Sequence, residues 1–421
     1  MRVVIVGNGI AGNAAARCIR RYDHSCEIVM VSAEDCPAYE PGALPYYVSG
    51  DVPRQVLFFR ELSDYEQDGI VTRFGTRAVG IDRQAKKVVL ENREALDYDR
   101  LIIATGGDQV IPPIKGVDKK GVFCCKVLAD ADALAAHRGS AAVVIGSGLI
   151  GIEAAEALKK RGYEVYLIEL MDWILPRVFD REAAELLKED LERNGINVLV
   201  KEKVQSIDGD RCVQGVTTDK RQIKCDTVVV AAGVVPSSKI AADAGIDVAR
   251  SRGIKVDEHM ATSGKDVYAC GDCVESWDAI TGESALYLLK HNAVEQAEVA
   301  AANCLGLRKR YAGAWNFARA HFFHTHAISI GRTLTMMGDT SGVELVEKRR
   351  DGDYYRLILK EGVLVGAQAI GRYADKMGIL LGAMRRRVNM AELRSEIEKV
   401  TLINSPYPWN YRVLVRYLSV K

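Results

Sequence analysis

Arg2-Val3-Val4-Ile5-Val6-Gly7-Asn8-Gly9-Ile10-Ala11-Gly12 reads as a short apolar strand running into a glycine-rich turn, and Ala14 to Ile19 continue as the apolar start of a helix. The device returns as Ala141-Ala142-Val143-Val144-Ile145-Gly146-Ser147-Gly148-Leu149-Ile150-Gly151, with Glu153 to Leu158 in its helix. A strand before and a helix after are the context that gives a G-x-G-x-x-G run meaning. The first glycine permits the tight turn, the second lets backbone approach a pyrophosphate, and the third lets helix pack on strand. The helix N-terminus then offers unpaired N–H groups and a partial positive charge to phosphate. Two glycine-rich turns that bind nothing are the plainer alternative, and two copies in register with strand and helix weigh against it.

Each copy needs a carboxylate at the end of its second strand, to hold a ribose hydroxyl. In the second copy Val165 to Ile168 is that strand, and Glu169 follows it, 18 residues after Gly151. In the first copy Glu27 to Val31 is the strand, but the matching position is Ser32. The carboxylate is therefore assigned to Glu34, with Asp35 beside it. If this second copy holds a nicotinamide nucleotide, Glu169 would repel a 2′-phosphate, and Leu170 and Met171 bring no Arg to receive one, which would favour NADH over NADPH. Lys159, Lys160 and Arg161 lie nearby in sequence and keep NADPH as the lesser alternative.

Working outward, 421 residues give a prior of about three domains. Lys and Arg total 57 against 56 Asp and Glu, a net charge of +1 that argues against nucleic acid as the main partner. With 48% hydrophobic and 27% charged residues the chain has the composition of a soluble globular protein. Its ten cysteines are scattered through apolar segments instead of being spaced as a framework, which suits a reducing cytoplasm. Met1 runs straight into a strand, without the regions of a signal peptide. The longest uncharged run, 139–152, is 14 residues, where a membrane span needs about 18. A cytoplasmic protein without a membrane span is the expectation.

Three further strands complete the pattern. Leu101-Ile102-Ile103-Ala104-Thr105-Gly106 ends in Thr-Gly, and Val228-Val229-Val230-Ala231-Ala232-Gly233 echoes it after the second fingerprint. Asp266-Val267-Tyr268-Ala269-Cys270-Gly271-Asp272 ends in Gly-Asp. With these residues in place the chain resembles the FAD-dependent pyridine nucleotide-disulphide oxidoreductase superfamily, over nearly its whole length. The branch of NADH oxidases, coenzyme A disulphide reductases and rubredoxin reductases is the nearest. The resemblance implies FAD on Gly7, Gly9, Gly12, Glu34, Thr105, Gly106, Gly271 and Asp272, and a nicotinamide nucleotide on Gly146, Gly148, Gly151, Glu169 and Gly233. It also implies a helix within 285–306 aimed at the flavin, with Asn292 and Ala293 in its first turn, where its positive end would favour reduced flavin. Glu153 matches a family Glu on the nicotinamide side of the flavin; a solvated first-turn Glu favouring the helix dipole is the equal alternative. No other catalytic side chain is assigned, because the flavin does the chemistry while the protein positions it.

The acceptor is harder to read. The disulphide reductases carry C-x-x-x-x-C on the first helix, and this helix has only Cys18. The coenzyme A disulphide reductases have one Cys before Gly-Leu-Pro-Tyr-Tyr; here Tyr39-Glu40-Pro41-Gly42-Ala43-Leu44-Pro45-Tyr46-Tyr47 puts Gly42 in its place. Cys36 lies six residues upstream, up to about 20 Å of extended chain, and an inert thiol is its default reading. Cys270 and Cys273 match C-x-x-C only formally, and Cys124-Cys125 read as strand residues on opposite faces. In the run 321–326, His324 and His326 share a strand face while His321 does not, and no metal site is assigned. Basic triplets at 308–310, 348–350 and 385–387 read as solvated faces, with docking of an acidic carrier or partner as the alternative.

The expected fold class is α/β: two Rossmann-like dinucleotide-binding domains, the NAD domain inserted in the FAD domain, plus a C-terminal α+β dimerisation domain. Pro112-Pro113 and Pro236 mark the crossings, giving FAD at 1–113 and 237–312, NAD(H) at 114–236 and the C-terminal domain at 313–421. That last part should hold a hairpin (Tyr354 to Lys360, then Val363 to Ile370), helices over 375–387 and 390–399, and an aromatic tail at 405–409. In relatives this domain makes a homodimer and covers a flavin. The leading functional reading is an NADH-dependent FAD enzyme passing electrons to a protein or small molecule, such as a rubredoxin-like carrier or iron–sulphur partner. The alternatives are an oxidase or a sulphur-substrate reductase using oxygen or Cys36, and a non-turnover FAD/NADH-binding sensor or scaffold.

Overall fold

A computed structural model of the chain describes residues 1–390. They form two compact units: Met1–Val110, Lys126–Ala131 and Gly233–Ala314 make the first, and Ile111–Cys125, Asp132–Ala232 and Trp315 onward make the second. The chain leaves the first unit just before Pro112-Pro113 and returns just before Pro236; from Trp315 it groups with the second unit instead of standing as a third.

The first unit is built on a five-stranded parallel sheet ordered 267–269, 100–103, 2–6, 27–31, 70–73. Strand Arg2–Val6 is central. Its Val3, Val4, Ile5 and Val6 are at most 5% exposed, because helices and strands cover both faces of a parallel sheet. Each such side chain stabilises the fold by about 1.5–3 kcal/mol. The chain goes outward from this strand on one side and then returns to the other, so the order reverses between Arg2–Val6 and Arg100–Ile103. Helix Ile10–Tyr22 packs on the sheet and against helix Lys290–Cys304, with Ala11, Ala15 and Ala16 meeting Ala293, Ala297, Ala300 and Ala301 in one core. Alanine on both faces lets the two helix backbones approach closely.

The second unit repeats this plan. Its parallel sheet runs 196–199, 164–168, 141–145, 227–230, 122–123, and its order reverses between Ala141–Ile145 and Thr227–Val230. Each unit also carries a three-stranded antiparallel meander at the same point of the repeat, 78–97 in the first and 204–224 in the second. The second unit adds a five-stranded antiparallel sheet, 317–322, 325–331, 363–370, 353–360 and 343–350, which contains the expected hairpin. A buried charge cluster ties this sheet to helix Arg181–Arg193. Arg356, 2% exposed, pairs with Asp180 at 3.4 Å, Glu182 at 2.9 Å and Glu347. Gln368 donates to Asp180 at 2.8 Å.

Three local expectations are corrected. The run 321–326 is a hairpin, not one strand: Phe323 (φ +50°) and His324 reverse the chain, so His321 faces His326 across the ladder with rings 4.4 Å apart. Alternation of faces holds only while a strand runs on. The strand before Cys124-Cys125 stops at Phe123, so neither thiol is a strand residue. The stretch 375–387 divides into a 3₁₀ segment, Gly371–Lys376, and a helix, Gly378–Arg385. Of the expected helix over 390–399 only Met390 is described, and the tail at 405–409 lies outside the described residues.

Candidate functional site

Gly7 ends the first strand at φ +124°, with its N–H donated to the Val31 carbonyl at 2.8 Å. A Cβ there would stand 2.1 Å from the Ala104 carbonyl oxygen, and one on Gly12 would stand 1.9 Å from the Gly7 oxygen. These two glycines are demanded by the protein's own packing. Gly9 differs: a Cβ there meets nothing within 4 Å among the described residues, and no side chain caps the helix it begins. Its bareness keeps open the space above the first-turn N–H groups, which is what an anion would occupy.

This opening lies at the carboxyl ends of the strands, where the sheet order reverses, the usual ligand crevice of such sheets. Thr105 and Gly106 follow Ala104; the Thr105 hydroxyl donates to the Ser237 carbonyl at 2.6 Å, and a Cβ on Gly106 (φ +70°) would meet nothing within 4 Å among the described residues. Gly271 (φ +80°) donates its N–H to Gln296 at 2.9 Å, and a Cβ on it would stand 2.8 Å from Ala11 and 3.7 Å from Ala293. It therefore brings the Gly-Asp strand against the first turns of both helices. Burial pushes the Asp272 carboxyl above its ordinary range, with Lys126 opposing. Asn292 is 1% exposed, and both it and Ala293 lie in the first turn of Lys290–Cys304, another helix without a side-chain cap.

Glu34 lies past the strand end, its carboxylate accepting from the Tyr39 hydroxyl at 3.0 and 3.2 Å. Sequence reasoning missed Tyr39 and a polar network under the turn. Asn8 accepts from Tyr65 at 2.7 Å and donates to the Cys36 carbonyl at 3.0 Å, while Asn13 donates to Asn8 at 2.9 Å. The one available signal was an Asn inside an otherwise alanine-rich helix. Cys36 is thus held beside the fingerprint turn. Gly42 lies in a 3₁₀ turn next to Glu40, which pairs with Lys290 at the start of the 290–304 helix.

The second cradle has the same steric pattern. A Cβ on Gly146 (φ +103°) would stand 2.4 Å from the Ala231 oxygen, one on Gly151 2.0 Å from the Gly146 oxygen, and one on Gly148 meets nothing within 4 Å among the described residues. Glu169 is placed at this turn: it accepts from the Ser147 N–H at 3.0 Å, the Ser147 hydroxyl at 2.6 Å and the Met171 N–H at 2.9 Å. Leu170 and Met171 beyond it are exposed. Gly233 (φ +111°) follows strand Thr227–Val230 and belongs to the first unit, where its carbonyl accepts from the Val110 N–H. Glu153 is half-buried on helix Leu149–Lys160, and burial first, then the neighbouring Glu156, pushes its carboxyl up to about 7. Glu156 pairs with Lys160 at 2.9 Å and accepts from the Phe323 N–H at 2.8 Å.

Among the described residues no cluster of His, Cys, Asp and Glu could hold a metal ion, and no helix is long and apolar enough to cross a membrane. Cys270 and Cys273 are fully buried, and burial raises both thiols. In the basic triplets, Lys309 pairs with Glu298, Arg310 with Glu258 and Arg350 with Asp351.

Residues 1–303 match the family described as pyridine nucleotide-disulphide oxidoreductase. The chain is 32% identical to an NADH oxidase of Methanocaldococcus jannaschii, covering 93% of each protein. It is 31% identical to the assimilatory nitrate reductase electron transfer subunit of Bacillus subtilis, with 92% of this chain matched but only 49% of that protein's length. Among solved structures, a NAD-dependent persulfide reductase from A. fulgidus superposes with a TM-score of 0.88 at 30% identity, over 100% of this chain and 82% of that one. With two such cradles and these matches, the chain belongs to the pyridine nucleotide-disulphide oxidoreductases, a family of FAD-dependent NAD(P)H enzymes.

Proposed function

We propose that the chain takes a hydride from NADH onto FAD and passes electrons to a small electron carrier or an iron–sulphur partner protein, without a redox-active disulphide. The observation that carries this reading is the pair of open glycines, Gly9 and Gly148, each at an uncapped helix start beside a sheet reversal. FAD, when bound, supplies the electron-accepting ring. In the first unit Gly7, Gly9 and Gly12 would leave room for its pyrophosphate. Glu34 would hold the ribose, Asp272 with Gly271, Thr105 and Gly106 would line the ribityl side, and Asn292 and Ala293 would bring the uncapped start of their helix. In the second unit Gly146, Gly148 and Gly151 would seat the nicotinamide nucleotide and Glu169 its ribose, with Gly233 at the return to the first unit and Glu153 on the nicotinamide side.

NADH is favoured because a 2′-phosphate would meet the fixed Glu169 carboxylate, and like charges placed together cost several kcal/mol. A protein acceptor is favoured because Gly42 stands where a thiol would be needed, and because a relative that this chain spans for half its length is an electron transfer subunit. Anaerobic mixing with NADH should bleach a yellow protein, NADPH doing so at least about tenfold less efficiently. Air should then reoxidise it slowly and an added carrier quickly. Rapid reoxidation by air would move the assignment to an oxidase, the activity named for the archaeal relative. Bleaching with no effective acceptor would favour a sensor or scaffold subunit. A colourless protein that cannot be reconstituted with FAD would overturn the reading.

A further inference from the structure

The first cradle has its ribose carboxylate two residues late. Ser32, at the expected place, is 8% exposed and is spent locally, its hydroxyl accepting the Glu34 N–H at 3.1 Å. The Glu34 backbone is fixed as well: its carbonyl accepts from the Gly75 N–H at 3.2 Å, and that of Ser32 from the Thr76 N–H at 2.9 Å. A Glu side chain displaced along a loop has several rotamers, and freezing them on binding would weaken the nucleotide's hold. Here they are already restricted by Tyr39.

We infer that Tyr39 is a positioning residue for FAD: it fixes the Glu34 carboxylate to receive the adenosine ribose and ties that end of the cofactor to the segment Lys126–Ala131. The inference rests on the proposed reading that the first cradle holds FAD. The Tyr39 hydroxyl has one proton and gives it to Glu34, reaching the two oxygens at 3.0 and 3.2 Å, while accepting the Leu128 N–H at 3.0 Å. Leu128 opens helix Leu128–Ala136, and a first-turn amide has no acceptor within its own helix. The phenol is therefore held from both sides. Tyr39 is 8% exposed, with its ring edge-on to Phe58 at 6.4 Å between centroids. Burial and the adjacent Glu34 charge raise the phenol above its ordinary range, so it remains a donor at any physiological pH. A carboxylate has about four acceptor positions, and one donor leaves the others for a ribose diol.

The test compares FAD with FMN, which has the flavin and one phosphate but no adenosine. Apoprotein carrying Tyr39→Phe should bind FAD about tenfold or more weakly, the loss of one hydrogen bond to a charged group, and bind FMN unchanged. Glu34→Gln, which keeps the side chain's shape, should give the same selective loss, and the double variant should be no worse than the worse single one. Amide exchange at Leu128 should be slowed by FAD in the wild type and not in Tyr39→Phe. Equal weakening of FAD and FMN would make Tyr39 a merely structural residue, and unchanged FAD binding would remove its role altogether; either sinks the inference. If wild-type apoprotein binds FAD no better than FMN, the assignment of the first cradle fails instead.

Discussion

The two fingerprint turns are built alike and are completed differently. In both, the first glycine is pressed against the carbonyl that ends the strand across the sheet reversal, Ala104 in one and Ala231 in the other, and the third against the first glycine's own carbonyl. Among the described residues, only a Cβ on the middle glycine would meet nothing within 4 Å. The residue after the first glycine is where they part. Ser147 spends its N–H and hydroxyl on Glu169, so the second turn grips its own carboxylate. Asn8 instead bonds Tyr65, Asn13 and the Cys36 carbonyl, and Glu34 is held from outside the turn by Tyr39. Backbone shape is thus set by what the protein packs against itself, while each carboxylate is placed by the side chains that bond it, Ser147 in one turn and Tyr39 in the other.

The likeness breaks first at the glycines. Gly12→Ala or Gly151→Ala should cost about 3 kcal/mol or more in unfolding free energy, since the intruded atom is backbone and cannot move aside. Gly9→Ala and Gly148→Ala should leave the melting temperature within a few degrees and instead abolish tight binding of FAD and of NADH respectively. Calorimetry beside ligand titration reads both; equal destabilisation by all four substitutions would refute the distinction.

The contrast in carboxylates is sharpened at the second turn. Glu169→Ala should raise KM for NADH about tenfold or more and remove the discrimination against NADPH. Ser147→Gly should move both in the same direction by only a few-fold, because Glu169 keeps the backbone N–H and that of Met171. Steady-state kinetics with both nucleotides would show it, and a Ser147→Gly effect as large as that of Glu169→Ala would mean the turn itself had collapsed.

Glu153 gives a smaller, pH-dependent effect. Its carboxyl stands at about 7 in the folded chain against an ordinary 4.5, so the folded protein binds this proton more tightly than the unfolded one. The resulting stability is full below about 4.5 and lost as pH rises through about 7. Glu153→Gln, uncharged throughout, should match the wild type in acid and exceed it in melting temperature above about pH 7. Identical pH profiles would show that the carboxyl ionises freely. Smallest in stability is Gly42→Cys: among the described residues an added Cβ meets only Glu40, at 3.6 Å, so the fold should be unchanged. The new thiol should add one equivalent to a thiol titration of the native protein. If it also brings turnover of a disulphide substrate, the missing sulphur is the main reason the chain lacks that chemistry.

Much of this was legible in the sequence because it is local. Both strand–glycine–helix units, Glu169 at its strand end and the strand Val267–Ala269 follow from spacing, and spacing is what backbone geometry reads out, whereas the first-turn positions of Asn292 and Ala293 came from the family resemblance. Tyr39 was illegible for the opposite reason. Its partners, Glu34 and Leu128, are 5 and 89 residues away, and nothing in an aromatic loop residue announces a hydroxyl that bonds in two directions. The histidine run failed through one unrecognised reversal at Phe323, which exchanges same-face neighbours for cross-strand ones.

The Arg356 cluster bears on how such a protein can be taken apart. Asp180 stands at the entry to helix Arg181–Arg193, yet its carboxylate is occupied by Arg356 and Gln368, both from the antiparallel sheet. Cutting that sheet away would remove Arg356 and Gln368 from Asp180 and uncover a carboxylate that is only 3% exposed with the sheet in place. The second cradle is consequently no portable cassette: grafting it into another protein would require carrying residues 317–370 along with it.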